Sequence, residues 1–201
     1  MTRTGLDVSA LPEFAFGARD PMYWGTALLI AIETTMIAML VSGYFYIRGK
    51  FVPWPPVPLS GTARWVGAAE LLILIGSAVP NFKTGEAAMR CDLRKTRRWL
   101  AVLSILGLFA ALGRVAQFAT LGFRWDANAY ASMVYALIGL HATHLLLGVG
   151  ENFLFLFCMF RGPIEKKFMV DVYVNSIYWY FAVGGWLVTY AVVYLEPVLR
   201  M

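Results

Sequence analysis

Two histidines lie one helical turn apart inside a long apolar segment, and their imidazole side chains can bind metal ions or exchange protons. The segment Leu140–Gly148 reads LHATHLLLG and contains both histidines of the chain, His141 and His144. At roughly 100° per residue, Gly148 and Glu151 project on the same side as the histidines. Imidazole and carboxylate groups are costly in lipid, so this face should point at protein or water. It could hold a metal or a haem, relay protons, or join helices by hydrogen bonds.

The number of available ligands argues against a redox metal. Two histidines one turn apart cannot take opposite axial positions on one haem, and the chain has no third histidine. A catalytic metal centre based on histidine would need further histidines or a dense set of carboxylates. The histidines could still hold one ion together with Glu33 or Glu151, but imidazoles that hydrogen-bond between helices are the favoured interpretation. We therefore expect this chain to bind no metal.

Glu33 is the strongest single candidate for a functional group. It lies about twelve residues into the first apolar segment, which is roughly 18 Å deep and close to the bilayer centre. His141 and His144 lie at a similar depth in the fourth segment. We therefore expect the first and fourth helices to pack with Glu33 near the two imidazoles. A purely structural hydrogen bond and a role in proton handling both remain open from the sequence.

Glu70 and Arg114 are two further ionisable residues inside apolar segments. Each lies about six residues from the same end of its segment, so the two side chains reach a similar depth. An unpaired charge at that depth would be costly. The sequence therefore predicts a Glu70 to Arg114 salt bridge between the second and third helices, with a structural role.

Composition indicates that these groups belong to a membrane protein. The 201 residues are 60% hydrophobic and 14% charged, with a mean hydropathy of +0.65, and soluble domains are less apolar. A spanning helix needs roughly 20 apolar residues. Five segments qualify, at about 22–47, 64–82, 98–120, 130–160 and 172–195. They nearly fill the chain, so residues 1–201 are predicted to form a single all-α membrane domain.

The basic residues indicate how the helices cross the membrane. Eleven Lys and Arg lie on one side of the predicted spans and five on the other. By the positive-inside rule, the N-terminus is cytoplasmic and the C-terminus is outside. The net charge of +5 thus reflects topology, and no nucleic acid partner is expected. The most basic stretch, 81–98, is predicted to be a cytoplasmic loop.

The N-terminal segment and the cysteines fit this topology. Residues 1–20 lack a short apolar core and a small-residue cleavage site, so no removable signal peptide is expected. Cys91 and Cys158 fall on the predicted cytoplasmic, reducing side, so no disulfide is expected.

Four motifs follow one another along the chain. They are Glu33 in the first segment; Trp54-Pro55-Pro56 in the next loop; Gly139, His141, His144 and Gly148 in the fourth segment; and Tyr178, Trp179, Phe181 and Trp186 in the last. In this order and on these helices, they resemble subunit III of the haem-copper terminal oxidases, in its short five-helix bacterial form. The resemblance runs over nearly the whole chain.

The sequence departs from that family pattern at three positions. In the last helix, Tyr180 replaces a usual histidine and Val183 a usual aspartate. On the third helix, Gln117 fits the family's glutamine, but Thr120 replaces the glutamate three residues later. These changes indicate a divergent branch.

The resemblance implies an accessory subunit. The haems and copper would belong to partner subunits I and II, and this chain would bind no cofactor apart from structural phospholipid. Its helices would form two bundles separated by a lipid-filled cleft in the bacterial cytoplasmic (inner) membrane. Glu33, His141, His144 and Glu151 would stabilise the bundle core and buffer protons. The whole complex would be the enzyme, oxidising cytochrome c with dioxygen and pumping protons, while the chain itself would not be catalytic.

Other functions remain open from the sequence. The same family includes accessory subunits of quinol oxidases and nitric oxide reductases, and the electron donor would bind elsewhere in such complexes. A small transporter could line a path with Glu33, Glu70, Arg114 and the histidines, and a metal-dependent membrane enzyme is a third alternative. Neither of these last two accounts for the proline-rich loop and the final aromatic motif together.

Overall fold

A computed structural model describes residues 14–162 and 165–200. The signal-peptide prediction concerns a segment whose residues 1–13 lie outside the described range. Five long helices make up most of the structure: α1 (Pro21–Arg48), α2 (Gly61–Met89), α3 (Leu93–Thr120), α4 (Ala129–Arg161) and α5 (Phe168–Tyr190). A π-helical turn, Ala191–Leu195, continues α5, and the described residues contain no strand. The all-α prediction with five helices able to span a membrane is confirmed.

Side chains that cap backbone N–H groups determine where four of the helices begin. Each capping residue accepts a hydrogen bond from the first turn, which satisfies a donor that has no partner within the helix. The capping residues are Asp20 for α1, Ser60 for α2, Asp92 for α3 and Asn128 for α4. At the exposed Asp92, the backbone N–H of Lys95 is the main group that holds the pKa of the carboxyl below its usual range.

The stretch predicted as a basic loop is mostly helical. α2 continues past Pro80 to Met89, and α3 begins at Leu93, so residues 90–92 form the whole connection. The loop prediction for 81–98 was wrong because low hydropathy marks the end of the hydrocarbon layer and not the end of a helix. The hydroxyl of Thr84 donates to the Pro80 carbonyl at 2.8 Å inside α2, and membrane helices tolerate an internal proline.

The described helices pack as one bundle. α4 contacts α1, α3 and α5, while α5 contacts α1, α2 and α4. The resemblance implied two bundles with a cleft between them. The two-bundle arrangement with a cleft stays a prediction.

Trp179 lies at the centre of this bundle. Its side chain is fully buried against two glycines, Gly107 on α3 and Gly148 on α4. A Cβ atom at Gly107 would lie 2.8 Å from Trp179 Cη2, and one at Gly148 would lie 3.2 Å from Trp179 Cε3. The glycines therefore provide the space that lets α3 and α4 close around the indole ring.

The bundle has two chemically different ends. At one, which we call the basic end, α1 and α5 begin, α4 ends, and the 90–92 turn joins α2 to α3. Arg97 from α3 donates there to the Met159 carbonyl of α4. The proline-loop end contains residues 49–60, 121–128 and the C-terminal residues 191–200. Cys91 and Cys158 are both free thiols, at or near the basic end.

Candidate functional site

Glu33 on α1 faces His144 on α4 inside the bundle. Both side chains are buried, and His144 Nε2 lies 3.8 Å from Glu33 Oε2. Tyr178 on α5 is also buried, and its hydroxyl faces the Glu33 carboxylate. The ring of Phe181 packs on the His144 imidazole, with 5.4 Å between centroids. Glu33, His144 and Tyr178 therefore form a polar group at the junction of three helices, which we call the Glu33 cluster.

His141 belongs to a different set of contacts. Its Nδ1 lies 2.8 Å from Arg114 Nη2, and its Nε2 lies 2.8 Å from the Ala182 carbonyl oxygen. A guanidinium can only donate, so Nδ1 accepts and Nε2–H donates. The contacts thus specify a neutral imidazole with its proton on Nε2.

Arg114 is the centre of a second polar group. Its Nη2 lies 2.6 Å from Glu70 Oε1, and its Nη1 donates to Gln117 Oε1 at 2.5 Å. Gln117 Nε2 in turn donates to the Tyr194 hydroxyl at 2.5 Å. All of these side chains are buried. We call Glu70, Arg114, Gln117, His141 and Tyr194 the Arg114 cluster; it links α2, α3 and α4 to the end of the α5 region.

The indole ring of Trp186 packs against two members of the Arg114 cluster. The Arg114 guanidinium carbon lies 3.9 Å from the centroid of the fully buried Trp186 ring. The His141 ring also packs on Trp186, with 5.0 Å between centroids. A cation over an indole face is stabilised by the ring quadrupole, and desolvation strengthens the attraction.

The structure divides the two histidines between these clusters. The sequence hypothesis placed Glu33 near both imidazoles, and Glu33 faces His144 while His141 binds Arg114. A shift of three residues is a rotation of about 300° together with a rise of about 4.5 Å. That difference is enough to give the two side chains different neighbours.

Glu151 lines a groove between α1, α4 and α5. It lies two turns closer to the basic end than His144 and is exposed in the isolated chain. The groove has a volume of about 310 Å³, and Asp171, Asn175 and Tyr178 also line it. Glu151 thus does not join Glu33 and His144 directly but borders the space that leads toward them.

The Trp54-Pro55-Pro56 motif packs against the C-terminal segment. Trp54 Nε1 donates to Glu196 Oε2 at 3.2 Å, and Pro55 is buried. Arg48 Nη1, at the end of α1, lies 2.8 Å from the other Glu196 oxygen. The motif therefore closes the proline-loop end around a carboxylate.

The residues of the final aromatic motif make three different kinds of contact. Tyr178 borders the groove, Phe181 covers His144, and Trp179 donates from Nε1 to Ser77 Oγ at 2.8 Å. Of the departures from the family pattern, Tyr180 is exposed and Val183 is buried in the apolar core. The hydroxyl of Thr120 donates to the Ala116 carbonyl of its own helix at 2.9 Å.

Several polar contacts were not anticipated from the sequence. Asn175 Nδ2 donates to Asn152 Oδ1 at 2.8 Å, and Asn81 Nδ2 donates to the Ser176 carbonyl at 2.9 Å. Glu196 was also missed. Each of these contacts involves an amide or carboxylate side chain within or next to an apolar segment. Because such groups need hydrogen-bonding partners in the membrane, their positions in the sequence could have predicted contacts there.

The described residues offer no metal-binding geometry. In 14–162 and 165–200, no three His, Cys, Asp or Glu side chains come together in an arrangement that could hold a metal ion. The expectation that this chain binds no metal stays a prediction.

Comparison with known proteins gives a consistent result. No model of a known protein family matches the chain. It is 27% identical over 177 residues to cytochrome c oxidase subunit 3 of Thermostichus vulcanus, covering 85% of each chain. It is 28% identical over 177 residues to the probable cytochrome c oxidase subunit 3 of Mycobacterium bovis, again covering 85% of each.

A third relative has a different length. The chain is 27% identical over 186 residues to heme-copper oxidase subunit I+III of Aeropyrum pernix, covering 84% of this chain and 22% of that protein. These similarities cover most of the chain, and they confirm the resemblance carried by the four motifs. Over most of its length, the chain is similar to subunit III of the haem-copper oxidases.

Proposed function

We propose that this chain is the accessory, non-redox subunit III of a haem-copper respiratory oxidase that passes electrons from cytochrome c to dioxygen and pumps protons. The observation that carries the proposal is similarity over 85% of the chain to proteins named cytochrome c oxidase subunit 3. The five apolar helices of the described structure agree with that similarity.

Within the complex, this chain stabilises the assembly and supports proton uptake. The Arg114 cluster serves the first role, because its buried ion pair and hydrogen bonds join α2, α3, α4 and α5. The Glu33 cluster serves the second, because a carboxylate, an imidazole and a phenol can each bind and release a proton. Glu151 borders the groove on the same side.

The partners are oxidase subunits I and II, which hold the haems and copper, together with membrane phospholipids. The relative from Aeropyrum pernix is named subunit I+III, which supports association with a subunit I. Many large apolar side chains of α1 are exposed, including Leu28, Ile32 and Met39. Such a face suits either lipid or an apolar partner helix. We place the basic end on the cytoplasmic side of the inner membrane, in accord with the positive-inside rule.

Purification through a tag on this chain tests the proposal. In mild detergent, haem absorption bands should accompany the tag in constant ratio to the chain, and the eluate should oxidise reduced cytochrome c. An untagged strain carried through the same steps is the control. An eluate without haem bands, or proton or solute transport by the purified chain alone, would contradict the proposal. Oxidation of quinol without oxidation of cytochrome c would assign the chain to a quinol oxidase instead.

A further inference from the structure

The groove between α1, α4 and α5 leads from the basic end toward Glu33. Its α1 wall includes Thr26, and Glu33 follows seven residues later on the same helical face. Its α4 wall includes Glu151, which is seven residues from His144 and on the same face. Tyr178 lines the groove on α5 and also faces Glu33. All three walls therefore continue into the Glu33 cluster.

Several of the side chains that line the groove carry hydrogen-bond acceptors, which lie among apolar walls formed by Met22, Leu29, Phe155 and Val174. Asp171 lies close to the start of α5, and Glu151 lies roughly 15 Å from the end of α4 at helical rise. Asn175 is only 5% exposed; its Nδ2 donates to Asn152, and no donor among the described residues reaches its Oδ1. A buried amide oxygen without a donor costs free energy. Carboxylates together with such an oxygen favour a ligand that donates hydrogen bonds, and water and hydronium are the smallest such ligands.

The Arg114 cluster lies one helical turn along α4 from His144, toward the proline-loop end, because it includes His141. A proton that left His144 for His141 would meet an Nδ1 already engaged by Arg114 and an Nε2–H engaged by Ala182. Protonation of His141 would also place a second positive charge against the guanidinium. A fixed arginine is an effective electrostatic barrier to protons in membrane proteins.

We propose that the groove is an aqueous entry through which Glu33 exchanges protons with the solution at the basic end only. On uptake, a hydronium ion in the groove gives its proton to the Glu33 carboxylate and remains as water; release is the reverse. The charged and titratable groups around this route are His144 and Glu151 on α4, Tyr178 and Asp171 on α5, and, next to Asp171, Asp20 and Lys167. The inference deepens the proposed function, since it gives the support of proton uptake a defined path.

Thiol labelling tests the water-filled groove. The experiment uses the full chain in membranes, in sealed right-side-out and inverted vesicles, with Cys158→Ala and the native Cys91 kept as a marker of the basic end. Thr26→Cys should react with a membrane-impermeant methanethiosulfonate from the same side as Cys91. Asp126→Cys, in the loop at the proline-loop end, should react from the other side.

Thr35→Cys is the matched control, because Thr35 lies on the exposed face of α1 away from the groove. It should remain unlabelled from either side, since a thiol in lipid does not ionise. Labelling of Thr26→Cys from the Asp126 side, or from neither side, would overturn the inference. Labelling does not depend on haem or turnover, so its failure is distinguishable from failure of the proposed function.

Infrared spectroscopy tests whether protons from the solution at the basic end reach the Glu33 carboxylate. In the same vesicles, a pH step on the Cys91 side should change the carboxyl C=O band that Glu33→Gln removes and that the surface variant Glu86→Gln retains. A bulky thiol reagent on Thr26→Cys should abolish the fast part of that response. A band that follows the pH on the opposite side, or that ignores both sides, would overturn one-sided access.

Discussion

At the residue scale, the two histidines show how neighbours determine chemistry. Both lie on α4 at similar depth, yet His141 is held neutral by a guanidinium donor and His144 faces a carboxylate. An imidazole that accepts from arginine has no free site for a proton, whereas an imidazole beside a carboxylate can share one. The proposed function therefore assigns proton exchange to the Glu33 cluster and a structural role to His141.

The buried Glu70 to Arg114 pair gives a prediction about stability. Arg114→Leu should destabilise the chain by about 3–5 kcal/mol, because it leaves a buried carboxylate without its counter-charge. In a cycle of Glu70→Gln, Arg114→Gln and the double variant, unfolding in mixed micelles should give a coupling energy of about 1–3 kcal/mol. The exposed Lys83 and Glu86 pair, measured in the same way, should couple by less than about 1 kcal/mol. Additive effects at Glu70 and Arg114 would contradict a direct ion pair.

Glu33→Gln separates the two interpretations of the Glu33 cluster. Glutamine keeps the size and polarity of Glu33 but cannot ionise, so we expect normal haem content in the purified complex together with severalfold slower proton uptake during turnover. Glu33→Leu should lower the yield of assembled complex, because His144 then loses its polar partner. Proton uptake at the normal rate in Glu33→Gln would leave Glu33 with a structural role only.

At the scale of helices, close approach depends on small residues opposite large ones. Trp179 from α5 occupies the space over Gly107 and Gly148, and Tyr194 packs over Gly67, where a Cβ atom would lie 2.9 Å from its ring. In lipid, helices associate by packing and hydrogen bonds, because the hydrophobic effect does not favour helix contacts over lipid contacts. The fit of these rings against glycine is accordingly a main determinant of the bundle.

Gly107→Ala tests this packing. The added methyl group would approach Trp179 Cη2 and Val149 Cγ2 within 3 Å, so we expect a loss of about 1–3 kcal/mol in the free energy of unfolding. Gly139→Ala on α4 is the control, because, apart from its chain neighbours and the backbone of its own helix, no described atom lies within 4 Å of the position that its methyl group would take. Its higher helix propensity should leave stability unchanged or raise it by up to about 1 kcal/mol. Equal effects at the two positions would rule out crowding as the cause.

At the scale of the whole molecule, the two ends are held differently. The basic end is joined by a three-residue turn and by Arg97 bound to α4. The proline-loop end depends on the carboxylate of Glu196, which contacts Arg48, Tyr44 and Trp54 and so ties the C-terminal segment to α1 and the 49–60 loop. Loss of the Glu196 side chain should therefore loosen the proline-loop end without unfolding the helices.

Glu196→Ala tests that arrangement. Hydrogen bonds to a charged group contribute about 1.5–3 kcal/mol each, so amide hydrogen exchange in residues 49–60 should accelerate by at least about tenfold. Exchange in the middle of α3 and α4 should not change. Glu86→Gln, which removes the two surface ion pairs of Glu86 with Lys83 and Arg90 at the basic end, should leave the 49–60 loop unaffected. Unchanged exchange in the loop of Glu196→Ala would show that other contacts hold it.

The five helices and the expected depth of each polar group follow from the amino-acid sequence alone. Composition requires helices in lipid, and a rise of 1.5 Å per residue converts position into depth. Sequence alone thus brought Glu33 level with the histidines and Glu70 level with Arg114. Its errors occurred where helices leave the hydrocarbon layer, as in 81–98, because helices continue into the headgroup region when capped.

Which groups at a given depth touch one another depends on how the helices pack. His141 and Arg114 were both visible in the sequence, but their contact depends on how α3 and α4 are rotated and packed. That rotation is set by distant features, such as Trp179 between two glycines and the bundle closing around α4 and α5. Depth follows from local geometry, whereas the neighbour across a helix interface is a property of the whole packed bundle.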